Sequence, residues 1–463
     1  MSINNFLRYS VSSFLGKGLS FISVPLFAYV LSPEEFGLYA IFLATLPLSN
    51  ILSNLNLSSS VRQYEYKYSR NSENYIFSIF ISSLFITFTY SMLLIWKSES
   101  VFSFLDLPKI FIWPFIVIAF LNIPVSIFEQ YLLGRNNSKK HLKLNLVRTF
   151  SDILISIILV YTIEFSAFYR SLGHLTSYVF VFVVFIIPLF SYIIKKEIKF
   201  KKIYLYYGLG FSVPIIIHQL SHIVISLSDR IIIGKYLSKS DVGIYSFSYS
   251  ISSILIVLII ALNSSVLKKY YEFIKEGKSL EINDFFKKIN EIVIIIVLIL
   301  SLVLINIFKF ISPNDFQNGI DIIPIVFLNS LGFLNYIFFV NVSFFYSRTF
   351  LISIGSILAA LINLTINIIF IEKYGITIAA ISTTISYFTL GLIHYFLVKS
   401  KSSNVILSIK PYLLSLFITI SLISISYIYP ASTELNMLSF CYLIIIVFLL
   451  FKLKNWKKLL HFL

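Results

Sequence analysis

The chain consists of apolar runs of about twenty residues each, and this pattern constrains its fold more than any other feature. Phe, Ile and Leu fill the runs, and short stretches rich in Lys, Asn and Ser separate them. As a helix, about twenty apolar residues cross the roughly 30 Å hydrocarbon core of a bilayer. Because a helix satisfies its backbone hydrogen bonds within one segment, these runs predict a helical protein that crosses the membrane many times.

The composition excludes a soluble protein. Hydrophobic residues make up 58% of the 463 residues, charged residues make up 13%, and the mean hydropathy is +0.88. So few polar residues cannot cover a water-exposed surface of this size. The net charge of +16 would suggest nucleic acid binding in a soluble protein. Here the positions of the basic residues relative to the membrane explain the charge, so no nucleic acid partner is predicted.

The apolar runs predict an all-α fold with fourteen transmembrane helices. An even number of spans places both termini on the same side of the membrane. The predicted spans are residues 8–31, 36–60, 75–96, 110–133, 145–163, 171–194, 206–232, 243–267, 289–309, 320–346, 350–371, 375–398, 411–429 and 435–452.

The basic residues set the predicted orientation. With a cytoplasmic N-terminus, Lys and Arg concentrate on the inside, in clusters at 135–148, 195–202, 268–288 and 452–458. Since cytoplasmic loops carry an excess of Lys and Arg, both termini are predicted to be cytoplasmic. The insert at 268–288 is the longest hydrophilic stretch, and it is predicted to form an amphipathic interfacial helix.

A repeat divides the chain into two halves. The stretch LSPEEFGLY at 31–39 matches 237–245 at its Leu, Ser, Gly and Tyr positions, with a constant offset of 206 residues. Six spans per half then run in the same direction, which predicts two parallel bundles with a pathway between them. The predicted domains are a six-helix bundle at 1–203, a six-helix bundle at 204–400, and two further helices with a basic tail at 401–463. Each repeat copy is interpreted as an outer corner, with its Gly-x-Tyr as a close turn and an interfacial anchor.

The first span carries polar residues on one helical face. Ser13, Lys17 and Ser20 recur at steps of three and four. Lys17 lies about 14 Å into the membrane, counting 1.5 Å per residue from Arg8. A cation at that depth costs several kcal/mol unless it meets water or a counter-ion, which predicts that Lys17 faces the pathway. The alternatives are snorkelling to the cytoplasmic interface or a structural ion pair.

The seventh span has the densest set of ionisable residues. His218, His222 and Asp229 share one face, and Gln219 belongs to a neighbouring polar stripe. The two histidines alone do not define a metal site, because the sequence places no further ligands. They are candidates for structural hydrogen bonds or for proton coupling. Asp229 with Arg230 is a further ion-coupling candidate, and a structural salt bridge between them is the alternative.

Other spans contribute further candidates for substrate binding or ion coupling. Arg148 and Asp152 are one turn apart in the fifth span, so they are expected to neutralise each other. Arg62 suits an anionic head group or ordinary positive-inside anchoring. The remaining candidates are Asn50 and Asn54 in the second span and Glu129 in the fourth.

Sequence motifs of catalysis are absent. The chain has no P-loop, no G-x-S-x-G, no H-E-x-x-H and no cysteine-pair metal signature. No catalytic residue, cofactor or metal is therefore predicted. Energy for transport would come from an ion gradient, a substrate gradient or a partner.

Two stretches resemble a known family. LSPEEFGLYA and SDRIIIGKYLSKSDVGIYSFSYS are similar to the Wzx-type polysaccharide flippases of the multidrug/oligosaccharidyl-lipid/polysaccharide superfamily. The resemblance implies two bundles of the multidrug-exporter type around a central cavity, lined by the first two helices of each bundle. It also implies that undecaprenyl-pyrophosphate-linked oligosaccharide moves from the cytoplasmic to the outer leaflet of a bacterial inner membrane by alternating access. Cationic cavity residues suit a pyrophosphate, so Lys17 and Arg148 inherit that role.

The predicted function is therefore that of a flippase for an O-antigen or capsule repeat unit, and not that of an enzyme. A polysaccharide polymerase and a chain-length regulator are the implied partners, and the lipid bilayer is the environment. Ion-coupled export of small cationic molecules is one alternative, which would favour an acidic cavity. A membrane enzyme acting on the same lipid carrier is the other, but no large outside loop is present to carry its chemistry.

Overall fold

Nearly all residues of the described part of the chain are helical. The computed structural model describes residues 18–19, 21–68, 72–187, 199–346, 348–401, 406–431 and 442–446. Within these ranges there is no strand, and twelve helical segments have the length and composition to cross a membrane. The predicted all-α, polytopic fold is confirmed. The chain divides into two compact units, unit 1 (Met1–Ile223) and unit 2 (Val224–Leu463).

Unit 1 contains the helices up to the first part of α8. A 3-10 turn at Lys109–Phe111 precedes α5, and a π-helical turn at Phe182–Ile186 follows α7. The helices are α1 (Pro33–Asn54), α2 (Ser59–Lys67), α3 (Ser72–Trp96), α4 (Ser98–Leu105), α5 (Ile112–Gly134), α6 (Ser138–Thr162), α7 (Ala167–Val181) and α8 (Lys202–Tyr236).

Unit 2 begins within α8 and is organised around one helix that is buried on all sides. That helix is α12, in which every residue from Ile323 to Ser343 is buried, and it packs against α10, α11, α14 and α15. A 3-10 segment at Asn314–Ile322 leads into it. The helices are α9 (Lys239–Ser252), α10 (Ile254–Lys275), α11 (Ser279–Ile311), α12 (Ile323–Phe345), α13 (Thr349–Tyr374), α14 (Ile376–Lys401) and α15 (Lys410–Ile428).

The twelve described spans coincide with predicted spans two to thirteen. The first predicted span, 8–31, is described only in its second part (18–19 and 21–31), and most of the fourteenth, 435–452, lies outside the described residues, so the count of fourteen stays a prediction. Several helices are longer than predicted; α11 has 33 residues. Hydropathy marks only the apolar part of a helix, whereas its hydrogen bonds continue into polar flanks. The unit boundary falls inside α8, and the domain limits from the sequence stay predictions.

Each copy of the repeated stretch forms the beginning of a helix. Ser32 caps α1 by accepting a hydrogen bond from the backbone N–H of Glu35 at 3.2 Å, and Ser238 caps α9 by accepting one from Asp241 at 3.0 Å. Such caps contribute about 1 kcal/mol each. The interpretation of Gly-x-Tyr as a turn with an interfacial anchor is wrong, because both glycines lie within helices and both tyrosines are buried. Tyr39 is 6% exposed and Tyr245 is 0% exposed.

The predicted interfacial helix at 268–288 is also wrong. The chain instead ends α10 at Lys275 and begins α11 at Ser279. Gly277, with φ of 68°, adopts the left-handed conformation that helix termini favour, and the N–H of Lys278 bonds to the carbonyl of Phe273 at 3.0 Å. The insert consists of the polar ends of two long helices and the turn between them.

Candidate functional site

A cluster of charged and polar residues lies between α6 and α7, and we call it the unit 1 node: Asp152, Ser156, Arg170 and His174. Nη1 of Arg170 lies 2.6 Å from Oδ1 of Asp152, and Nδ1 of His174 lies 3.2 Å from Oδ2. Arg170 also donates to the hydroxyl of Ser156. The side chains of Arg170 and Asp152 are only 6% and 17% exposed. The carboxylate therefore has a full positive charge in direct contact.

Close helix packing makes the unit 1 node possible. Gly173 of α7 faces Ser156 of α6, and a Cβ at position 173 would lie 2.5 Å from the Cα of Ser156. Only glycine permits this approach, which brings the side chains on either side of it, Arg170 and His174, to Asp152. The guanidinium of Arg170 also lies over two rings, 4.2 Å from the centroid of Phe27 and 4.5 Å from that of Tyr39. Such cation–π contacts stabilise a desolvated cation.

Arg148 has a different partner from the one predicted. Its Nη1 donates to Oε1 of Glu129 on α5 at 2.9 Å, while Asp152 pairs with Arg170. The expected neutralisation of Arg148 by Asp152 within α6 is thus wrong. Neighbouring helices bring better-placed partners to both residues than the shared helix does. Arg148 and Glu129 are 31% and 20% exposed, so this pair is more accessible than the unit 1 node.

A second cluster, the unit 2 node, surrounds Asp229 of α8. The Asp229 carboxylate accepts three hydrogen bonds, from the hydroxyl of Tyr245 at 2.6 Å, the amide of Asn367 at 2.9 Å and the hydroxyl of Thr383 at 3.0 Å. Asn363 and Ser382 extend the network around Asn367 at 2.8 to 3.3 Å. All six residues are completely buried or nearly so. The unit 2 node consists of Asp229, Tyr245, Asn363, Asn367, Ser382 and Thr383.

No ion pair joins Asp229 to Arg230 in the described structure. Arg230 donates to the carbonyl of Ser226 at 2.7 Å, and its guanidinium lies 4.5 Å from the ring centroid of Tyr249. The alternative of a structural salt bridge between these neighbours is therefore wrong: consecutive residues of a helix point in directions about 100° apart, and Arg230 turns towards the tyrosine rings. The hydrogen-bond donors to Asp229 are all neutral, and the charge of Arg230 acts on the carboxylate from nearby without contact.

The start of α8 is held within unit 1 by a tyrosine cluster. Tyr64 stacks on Tyr75 with ring centroids 3.8 Å apart, and Tyr204 and Tyr207 of α8 meet Tyr64 edge-on. Burial and the neighbouring phenols raise the pKa of Tyr64 to about 12, so the Tyr64 hydroxyl stays uncharged at ordinary pH. The contacts fix where the polar stripe of α8 lies in unit 1.

That stripe meets the turn between α1 and α2. The amide of Asn56 donates to Oε1 of Gln219 at 2.9 Å, one residue beyond the α1 C-cap Leu55. Ser59 and Ser212 add a hydroxyl contact at 3.4 Å. Leu55 and Asn56 both have φ near 50°, so the turn projects its polar side chains towards α8. The sequence predicted Gln219 as a polar residue of the pathway but not its partner.

The other predicted site residues are placed as follows. Arg62 is exposed on α2, Asn54 is buried at the end of α1, and Asn50 has a buried Oδ1 without a hydrogen bond. His222 is half-buried on α8. Ser13, Lys17 and Ser20 lie outside the described residues, as does the side chain of His218. None of their proposed roles is tested by these positions.

Sequence reasoning missed most members of both nodes. The predicted spans leave Arg170 in a loop and put His174 in an apolar span, and no sequence pattern marks Asn363, Asn367 or Thr383. The repeated tyrosines were the one available signal, because Tyr39 and Tyr245 recur at a constant offset and each lies at a node. Among the described residues there is no group of three or more His, Cys, Asp or Glu side chains that could hold a metal ion. The unit 2 node does gather carboxylate, amide and hydroxyl oxygens, a donor type suited to a proton or a hard monovalent cation.

Comparison with solved structures shows which known proteins share this fold. The chain matches "Lipid II flippase MurJ, inward closed conformation" with a TM-score of 0.73 and 16% identity, covering 98% of this chain and 100% of that one. It matches an outward-facing multidrug resistance MATE transporter of the MOP superfamily with a TM-score of 0.61 and 14% identity, covering 86% and 95%. At these identities the likeness shows the fold alone.

Comparison with curated sequences finds two relatives from Haemophilus influenzae. An uncharacterised membrane protein is 28% identical over 294 residues, and Lsg locus putative protein 1 is 24% identical over 281 residues. The matches cover 60% and 58% of this chain and 66% of each relative, just under two thirds of their length. A family model described as polysaccharide biosynthesis protein matches residues 2–267, more than half of the chain. The chain therefore belongs to the polysaccharide biosynthesis protein family, with the fold of the MurJ and MATE transporters.

Proposed function

We propose that this protein flips a lipid-linked oligosaccharide, carried on undecaprenyl pyrophosphate, from the cytoplasmic to the outer leaflet of a bacterial inner membrane. The substrate is an O-antigen or capsule repeat unit, and movement follows alternating access between the two halves of the chain. The observation that carries this proposal is the likeness of 98% of the chain to the fold of a lipid flippase, in a member of a polysaccharide biosynthesis family.

The physical task is to carry sugars and a charged pyrophosphate past hydrocarbon. Exposing polar groups to lipid costs several kcal/mol each, so the path must supply hydrogen-bonding partners. The asparagines and serines at the end of α1 and on α8 provide such groups, and they suit sugar hydroxyls. In this proposal Lys17, Arg62 and Arg148 attract the pyrophosphate, and a polymerase and a chain-length regulator act on the product.

Arg148 suits pyrophosphate binding because its present partner can be exchanged. Its contact with Glu129 is a single 2.9 Å bond between two part-exposed groups, and a pyrophosphate offers a guanidinium more negative charge in bidentate geometry. Arg148→Gln should reduce surface glycan several-fold while the amount of membrane-inserted protein stays constant; Arg148→Lys should retain part of the activity. Glycan production unchanged in Arg148→Gln would remove this role.

Asp229 is the residue that we propose for ion coupling. Arg230 acts on this carboxylate without touching it, so the hydrogen-bond partners of Asp229 are all neutral; a proton or a monovalent cation bound at Asp229 adds the positive charge in contact that a buried carboxylate needs to offset its desolvation. Binding that depends on the ion then links its gradient to one conformation of the protein. His218 and His222 on the same helix, Arg230 beside it and Glu129 stay secondary candidates for this role.

The isosteric change Asp229→Asn tests this role. We expect flipping to fall by about 5- to 150-fold, the factor to which coupling free energies of about 1 to 3 kcal/mol correspond, with normal protein levels. Transport is measured in vesicles with an imposed Na⁺ or proton gradient. A variant that flips at the wild-type rate and still responds to the gradient would contradict the assignment.

Gene deletion tests the function itself. Loss of surface glycan together with accumulation of lipid-linked repeat units in the cytoplasmic leaflet is the expected result, and the intact gene should reverse both. Accumulation in the outer leaflet would indicate a later enzymatic step, and normal glycan would contradict the flippase proposal. Sensitivity to small cationic compounds with normal glycan would favour export of small molecules; one solved structure of similar fold is named a multidrug resistance MATE family transporter.

A further inference from the structure

The two nodes contain the same kinds of residue, supplied by different helices. Each has a carboxylate and an arginine beside the repeated tyrosine: Arg170 lies 4.5 Å from the ring centroid of Tyr39, and Arg230 lies 5.3 Å from that of Tyr245. In unit 1 the carboxylate comes from α6 and the arginine from α7, whereas in unit 2 both come from α8. The tyrosine positions are repeated, but the positions of the charged residues are not.

The nodes differ in whether the arginine touches the carboxylate. Arg170 contacts Asp152 at 2.6 Å and also donates to Ser156. Arg230 instead donates to a backbone carbonyl at 2.7 Å, and Asp229 is bound by a hydroxyl, an amide and a second hydroxyl. The unit 1 carboxylate thus has a cation attached to the chain, and the unit 2 carboxylate has none in contact.

We infer that Arg170 is a built-in counter-cation which fills, in unit 1, the place that a dissociable ion takes in unit 2. Because Arg170 occupies Asp152, ions can bind only at Asp229. The net charge of the Arg170–Asp152 pair stays zero throughout the transport cycle. It is a specificity-determining residue for where the coupling ion binds, and it acts by occupying Asp152 rather than by touching the substrate. This inference rests on the proposed coupling role of Asp229, but not on the identity of the glycan.

Removing the guanidinium should expose a latent ion site. Asp152 would keep the Ser156 hydroxyl, which lies 3.3 Å from its Oδ1, and Nδ1 of His174 at 3.2 Å from its Oδ2. These groups suit a proton or a small monovalent cation. Other charged or titratable groups near Asp152 are Tyr39 on α1, Arg148 on α6 and Tyr178 on α7, with Glu129 beyond Arg148.

The test uses purified full-length protein and its melting temperature. The proposed ion site of unit 2 is first removed with Asp229→Asn. Na⁺ then replaces choline stepwise at constant ionic strength. A separate titration varies the pH without Na⁺. Asp229→Asn alone should show no saturable response. Asp229→Asn with Arg170→Gln should gain one, a rise in melting temperature of about 2 °C or more, because a ligand that binds only the folded state stabilises it. A response to Na⁺ at fixed pH identifies a metal cation, and a response to acid alone identifies a proton.

Two matched variants serve as controls in the Asp229→Asn background. Arg170→Lys keeps a tethered cation and should remain unresponsive. Arg170→Gln with Asp152→Asn removes both charges and should also be unresponsive while folding normally. Failure to recover Arg170→Gln at any Na⁺ concentration or pH, with the doubly neutral variant recovered, would overturn the inference, because no free ion could then replace the guanidinium.

Two further outcomes would also overturn the inference about Arg170. A folded Arg170→Gln variant without any ion response would overturn the inference. The inference would also be overturned if the melting temperature of Asp229→Asn still responded to the ion and this response disappeared when Asp152→Asn was added. Unit 1 would then bind the ion while Arg170 is present. This comparison needs no substitution at Arg170. Because the readout is ion-dependent stability, a failed inference is distinguishable from a failed flippase proposal, which is tested by leaflet distribution of the glycan.

Discussion

The unit 1 node and the unit 2 node solve the same problem, a carboxylate inside a membrane bundle, in two ways. In unit 1 a full opposite charge lies 2.6 Å from the carboxylate. In unit 2 three neutral groups donate hydrogen bonds at 2.6 to 3.0 Å. In an ion pair, removing either charged group leaves the other buried without its counter-ion. A carboxylate that is held only by neutral donors has no cation in contact, so a proton or a metal cation could bind to it and dissociate again. The difference teaches that, of the two carboxylates, only Asp229 is without an arginine in contact, which is why we propose ion coupling there and not at Asp152.

The largest effect should follow from breaking the ion pair in unit 1. Asp152→Ala leaves the Arg170 guanidinium buried without its counter-ion, which should cost about 3 to 5 kcal/mol of folding free energy. Thermal unfolding of purified protein measures it. The control is Asp152→Asn with Arg170→Gln, which removes both charges and should cost much less. Equal losses in the two variants would mean that charge pairing does not stabilise the node.

Filling the space at Gly173 should have the next largest effect. In Gly173→Ala the new methyl group would overlap Ser156, so α6 and α7 must separate; we expect a loss of about 3 kcal/mol, the upper part of the range for overpacking. Gly210→Ala is the matched control, because nothing lies within 4 Å of a Cβ there. It should be neutral or slightly stabilising, since Ala favours helix more than Gly does. Similar melting temperatures for the two variants would contradict close packing at the node.

The smallest effect separates the two repeated tyrosines. Tyr245→Phe removes the hydroxyl that donates to Asp229 and should cost about 1 to 2 kcal/mol. Tyr39→Phe keeps the ring that faces Arg170 and should cost less than about 0.5 kcal/mol, because in the described structure its hydroxyl makes no hydrogen bond. Melting curves of the two variants give the comparison directly. The reverse order would show that the unit 1 tyrosine acts through its hydroxyl.

The span pattern could be predicted because it depends on local properties of the chain. Whether twenty consecutive residues are apolar does not depend on their neighbours in space, and twelve predicted spans correspond to described helices. The serine caps of α1 and α9 are equally local, since each involves residues three apart. Helix ends beyond the membrane were less predictable, as α8 and α11 show, because polar flanks can remain helical.

The partners of the charged residues could not be predicted in the same way. The i,i+4 rule placed Arg148 with Asp152, but each pairs with a residue on another helix, 19 and 18 positions away. The sequence also suggested a salt bridge between Asp229 and Arg230, whereas the partners of Asp229 come from α9, α13 and α14. Sequence spacing defines neighbours along one helix; it does not state which faces of two helices meet.

By itself, the sequence determined that this chain is an all-α membrane protein with a repeated architecture, because hydrophobic length, basic residues and the repeat are properties of the chain itself. Only the tertiary structure decided that the repeated tyrosines are buried at two polar nodes, and that one node carries its own cation while the other does not. The physical reason is distance: charge pairing in a low-dielectric interior acts over a few ångströms. Those distances exist only after α6 packs on α7 and α8 meets α13 and α14.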